Sequence, residues 1–182
     1  MNALSQNISS YLRRMEDEID ALRCDDVFSA SVLAKEPAIG SEMSKRVETQ
    51  KIITGYKLGF EPMIQTVLAK VTSPWASDET MRAATNVIKK AVTTNVSRYD
   101  EMFSLRLRRE RTDFDFLSFM RSVFGDYQFI EKKLLFKTPT NLHKYKQLAA
   151  GIEDAIKAGE AFQQRQFDAV EAAKTQLQKL SP

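Results

Sequence analysis

Cys24 and His143 are the chain's only cysteine and only histidine, and a thiolate paired with an imidazole is one of the commonest nucleophilic constellations. Their neighbours argue against that use. Asp25 and Asp26 follow Cys24 directly and disfavour a thiolate, whereas reactive thiols sit in electropositive surroundings. His143 falls in the first turn of a helix, between Leu142 and Lys144, and no Cys/His cluster exists to complete a metal site around it. We read Cys24 as structural and His143 as a surface residue. The six glycines are scattered, so neither a phosphate-binding loop nor a dinucleotide fingerprint is present, and no Glu-x-x-His pair marks a carboxylate-metal bundle. The expectation is a protein with no catalytic residues, no metal and no cofactor. A carboxylate pair assembled only by folding stays open.

Binding chemistry is better represented. More than half of the chain's aromatic residues fall between Tyr99 and Phe136, interleaved with Arg106, Arg108, Arg109, Arg111 and Arg121. Aromatic and arginine side chains anchor protein partners and stack on nucleic-acid bases. Extending the helical stripe Met81, Ala84, Ile88, Val92, Val96, Tyr99 and Phe103 puts Arg106 and Glu110 on its apolar face, with Arg108 and Arg111 outward. Either the helix leaves the bundle after Phe103, or Arg106 and Glu110 lie inside as a pair at i,i+4.

Thr112 and Asp115 fit a capping box opening a further helix. Its seam is Phe116, Met120, Val123, Tyr127, Ile130 and Leu134, and Gly125 falls opposite, so the helix is expected to continue through it. Phe114, Phe129 and Phe136 then project from the other side, near Arg121, Lys132 and Lys133. A helix apolar on two sides is either central in its own bundle or shared with a partner. The candidate partner-binding residues are therefore Arg108, Arg111, Phe114, Arg121, Phe129 and Phe136. An alternative surface for nucleic acid comprises Arg106, Arg108, Arg109, Arg111, Lys132, Lys133, Lys137, Lys144 and Lys146, meeting phosphates in a strongly salt-dependent way.

Helices must position these groups, because apolar residues recur at helical spacing nearly everywhere and useful period-two alternation is absent. A first helix over about Ser5 to Arg23 carries the seam Ile8, Leu12, Met15, Ile19 and Leu22. Asp25 or Asp26 can cap a short segment through Val27, Phe28, Val32 and Leu33, ended by Pro37 and Gly40. A helix over Ser41 to Thr54 follows, then a break at Gly55 and Gly59, with Pro62 opening the next helix. Another break holds Ser73, Pro74 and Trp75, and Ser77 caps the stripe described above. Thr138 and Pro139 start the last region, whose stripe is Leu142, Tyr145, Ala149, Ile152, Ile156, then Phe162 or Phe167, Val170, Ala173 and Leu177. Residues 139–182 form either one helix or a helical hairpin interrupted near Gly159. Residues 158–182 resemble a single tetratricopeptide repeat in the spacing of Gly159, Phe162 and Phe167, yet no second copy appears for it to stack on.

The 182 residues fit one domain that buries roughly 70% of its unfolded surface, so no staple is needed. A net charge of +3, from 27 basic and 24 acidic residues, selects no partner class by itself. Charges interrupt every hydrophobic stretch well short of the roughly 18 apolar residues that span a bilayer. The N-terminus lacks a secretory pattern, which points to the cytosol. The expectation is an all-α, mainly antiparallel helical bundle acting as a non-catalytic subunit, adaptor or scaffold. Its partner is a protein or a second copy, with an architectural or coat-like nucleic-acid-binding subunit as the alternative. No small-molecule substrate is evident.

Overall fold

The computed structural model of the chain describes residues 2–72, 79–130 and 133–180. Trp75, Ser77 and Lys132 lie outside the described residues. The elements run α1 (Asn2–Ala21), α2 (Ala30–Leu33), α3 (Glu36–Thr72), α4 (Glu79–Ser122), β1 (Tyr127–Ile130), β2 (Lys133–Phe136) and α5 (Pro139–Leu180). Apart from one small hairpin this is an all-α bundle of long antiparallel helices. Helix α4, 44 residues and about 66 Å long at 1.5 Å per residue, is the spine, with α3 and α5 packed along it and α1 on α3.

The amphipathic seam of α1 forms as its spacing predicts. Met15 is fully buried, and Ile8, Leu12 and Ile19 pack beside it against Ile53, Phe60 and Ile64 of α3. Helix α3 is one element where the sequence suggests two. Pro37 sits in its first turn, where a missing N–H costs nothing, instead of ending the preceding segment. Pro62 sits inside the helix. It leaves the carbonyl four residues earlier, that of Leu58, without an intrahelical donor, and the exposure of both residues lets water serve that oxygen. Gly59 is the notch that lets α1 approach, since a Cβ there would lie 2.5 Å from the Tyr11 hydroxyl.

Helix α4 passes through the arginine segment without a break, so Thr112 and Asp115 are mid-helix residues and open no new helix. The Thr112 hydroxyl bonds back to the Arg109 carbonyl at 2.8 Å, the ordinary alternative for a threonine inside a helix. Helix α5 is likewise unbroken across Gly159, which removes the hairpin and the helix-turn-helix of the repeat resemblance. Its start matches expectation, with the Thr138 oxygen accepting from the amide of Asn141.

The helix expected to run through Gly125 instead stops at Ser122. The Ser122 hydroxyl bonds the Phe119 carbonyl at 2.7 Å, turn bonds run from Phe124 N to Arg121 O and from Asp126 N to Val123 O, and Gly125 takes φ +89°. That left-handed conformation suits glycine alone among common residues. Asp126 then ties the hairpin to α5: its carbonyl accepts from Lys137 N at 2.8 Å and its carboxylate takes the Thr138 hydroxyl and the Asn141 amide. Strands β1 and β2 pair antiparallel, Tyr127 opposite Phe136 and Phe129 opposite Leu134. Those four face the bundle, while Gln128, Ile130, Lys133 and Leu135 face outward.

Two apolar cores lie along the spine. One gathers Met15, Ile53, Phe60, Ile64, Leu68, Val92, Phe103 and Leu107; the other gathers Val27, Val32, Leu33, Ile39, Phe116, Leu117, Met120, Tyr127 and Ile152. Between them, at the α3–α4 contact, sits a polar layer centred on Arg46, whose guanidinium is 10% exposed. Its Nη2 donates to the Asp25 carbonyl at 2.6 Å and lies 3.4 Å from Glu42, and its Nη1 is 3.4 Å from Glu110 and 3.2 Å from Asp113. Arg109 Nε meets the other Asp113 oxygen at 2.9 Å, and Lys45 pairs with Glu42 at 3.0 Å. Glu42 also accepts from the Asp25 amide at 3.0 Å, so the α1–α2 connection is held by this layer. Glu110 therefore lies inside, as the register requires, but its cation comes from α3. Arg106 reaches across to Glu16 of α1 instead of pairing at i,i+4.

The Arg46 Nε and both Asp113 oxygens lack an aligned hydrogen bond, so charge proximity holds them more than hydrogen-bond geometry does. Burial raises the Glu110 and Asp113 carboxyls above their ordinary range, against the opposing pull of Arg46 and Arg109. In the window between the unfolded and the raised folded pKa the native state holds more protons than the unfolded one. The cost of keeping these acids charged is thus present above that window and is relieved as pH falls through it. Glu110→Gln is expected to leave stability at neutral pH unchanged or raised, with the difference from wild type shrinking as pH falls into the carboxylate range. Arg46→Met, which leaves Glu110 without its cation and takes one of two cations from Glu42 and from Asp113, is expected to cost about 3–5 kcal/mol at neutral pH. Urea unfolding of both variants across that pH range checks the pair.

Candidate partner interface

The sequence-derived contact surface does not assemble as one face. Phe129 and Phe136, expected to point outward from a helix, lie on the inner side of the hairpin against the second core; Phe136 stacks at 5.6 Å from Tyr127 and 5.2 Å from Tyr145. Phe114 is half-buried on α4. Arg121 is exposed, pairs with Glu36 at 3.1 Å and lies over Gly40. Arg108 and Arg111 are exposed on α4, as the register indicates.

The basic residues of the nucleic-acid alternative are also dispersed in role. Arg106 is held by Glu16 and Arg109 by Asp113. Lys137 donates its ammonium to the Gly125 carbonyl, closing the turn. Lys133, Lys144 and Lys146 are exposed, on the hairpin and the first turns of α5.

Cys24 is half-buried, 3.7 Å from the Thr49 hydroxyl, and burial pushes its thiol pKa up. His143 is exposed and bonds Gln147 at 2.9 Å. A cleft of about 300 Å³ between α1 and α3 is lined by Tyr11, Arg14, Glu18, Lys51, Ile52, Gly55 and Tyr56. Desolvation, reinforced by its 2.6 Å bond to Glu18, pushes the Tyr56 phenol up to about 12, which makes it a poor proton donor at neutral pH. Among the described residues no group of histidines, cysteines and acids is arranged to hold a metal ion, and no helix is long and apolar enough to cross a membrane.

Two outward apolar surfaces stand out among the described residues. The first is the outer face of the hairpin, where Ile130 and Leu135 are diagonal neighbours, each half-exposed, beside Lys133. The second is a row on α5. Ile152, Ala155 and Phe162 are buried along the side of the helix that packs against α4. About a quarter turn away, Ile156, Phe167 and Val170 are 40%, 61% and 52% exposed. The sequence places Ile156 and Val170 in the core stripe and leaves Phe162 and Phe167 as equals. Both rows satisfy helical spacing, so packing separates them: Phe162 is buried and Phe167 is exposed.

Comparison with protein-family models, with curated proteins and with solved structures returned no match to this chain.

The two faces of the hairpin give opposite expectations. Phe129→Asp with Phe136→Asp places charge in the second core and is expected to destabilise by about 3 kcal/mol or more. Ile130→Asp with Leu135→Asp is expected to shift stability by less than about 1 kcal/mol, since surface substitutions usually do so. Thermal unfolding followed by circular dichroism separates the two, and equal losses would contradict the inward assignment.

Proposed function

We propose that this chain is a non-catalytic helical subunit working in the cytosol, an adaptor or scaffold whose activity consists of protein–protein contact, with itself or within a larger complex. The supporting observation is the α5 row. Three large apolar side chains stand on one line of a 42-residue helix that already buries a separate stripe against α4. A helix with two apolar faces, only one of them packed on its neighbours over this stretch, is the arrangement that a partner completes. The hairpin's outer face adds a second apolar surface beside a lysine. Arg108 and Arg111, exposed on α4, are further side chains of the kind that such contacts use.

Light scattering on the tagged chain, purified gently from its host, tests this reading directly, because scattering gives mass independently of the elongated shape. The expected mass exceeds that of one 182-residue chain. A single-chain mass at every concentration, with no co-purifying protein in stoichiometric amount, would sink the proposal.

A further inference from the structure

From the α5 row we infer that the partner is a second copy of this chain, docked through α5 in an antiparallel, two-fold arrangement centred on Gln163. The inference rests on the subunit reading above and specifies the occupant of its principal surface.

The row has the periodicity of a helix-packing seam. Ile156, Gln163 and Val170 are seven residues apart, Phe167 lies four beyond Gln163, and all four are exposed. An isologous contact must be self-complementary: whatever residue i meets, the same residue of the other copy meets in return. Antiparallel pairing about Gln163 satisfies this, since Ile156 and Val170 are equidistant from it and meet each other twice. A parallel pairing would set Phe167 against Phe167.

Shape and charge agree with that register. In knobs-into-holes packing a side chain enters a hole made by positions j, j+3, j+4 and j+7 of the facing helix. The hole facing Phe167 is made by Ile156, Gly159, Glu160 and Gln163. Gly159 is its floor. Within the single chain nothing lies within 4 Å of a Cβ placed at Gly159, so α4 does not require this glycine, although it weakens the helix by about 1 kcal/mol relative to alanine. An aromatic ring seated from a second copy gives the missing side chain a use. At the flank, Lys157 of one copy comes beside Glu171 of the other, again twice. Among the described residues Lys157 pairs with exposed Glu153 at 3.9 Å, a loose contact that leaves its ammonium able to serve both acids.

The test uses the full purified chain without other proteins. A dimer by light scattering is expected, with Phe167→Asp raising its dissociation constant by about 30-fold or more, as loss of a central aromatic anchor does. Phe167→Leu should retain dimerisation. Gly159→Leu should weaken it while raising the thermal stability of the monomer. With Cys24→Ser as background, Gln163→Cys is expected to form a disulfide-linked dimer under mild oxidation. Ile156→Cys alone is expected to form none, and Ile156→Cys with Val170→Cys to form one. A monomer at all concentrations, or cross-linking through Ile156→Cys without Gln163→Cys, overturns the inference. Should the recombinant chain be monomeric while the host-purified chain is larger, this inference fails and the subunit reading survives. Single-chain mass in both preparations ends both.

Discussion

A guanidinium buried between two hydrophobic cores is the constraint around which the rest of this structure is arranged. Arg46 cannot leave the interior without abandoning Glu42, Glu110, Asp113 and the Asp25 carbonyl, and it cannot stay without them. These partners come from α3, from α4 and from the connection after α1. One side chain therefore sets the axial register of α3 against α4 and fixes where the chain crosses between them. Hydrophobic burial alone would tolerate sliding by a turn, because apolar stripes repeat. A charged layer does not, since a one-turn slip would part Arg46 from Glu110 and Asp113 and leave Glu110 inside without a cation.

Much of the helical architecture was legible in sequence because it obeys a single period. The α1 seam, the α4 stripe from Val92 to Phe103 and the start of α5 at Thr138 and Pro139 all follow from spacing and capping. The register calculation also correctly put Glu110 inside. Its cation could not be found the same way, since an i,i+4 rule sees only one helix and Arg46 lies 64 residues earlier.

The hairpin was missed for a specific reason. Residues separated by seven satisfy a helical seam, yet Tyr127 and Leu134 face inward on two paired strands as well. Ile130, Phe129 and Phe136 distinguish the alternatives: Ile130 is core in a helix and half-exposed in the hairpin, and the two phenylalanines are outward in a helix and inward in the hairpin. The positive φ at Gly125 decides the matter physically, and no periodicity encodes it. Prolines misled in the opposite sense. Pro37 and Pro62 read as boundaries, but one occupies a first turn and the other a solvent-facing position where water replaces the lost donor. The α5 row escaped because a helix of 42 residues carries more apolar surface than one neighbour can cover, and a stripe drawn along it mixes two faces.

Placing a polar layer between two cores also bears on how the molecule comes apart. Cooperative units in proteins follow contiguous apolar contact, and here that contact is interrupted at Arg46 while the backbone of α4 runs on through it. The bundle has a seam at which one half can exchange its amides with solvent while the other keeps its packing. Helix α4 is then a common axle for the two cores, and the polar layer sits on its turns between Leu107 of one and Phe116 of the other.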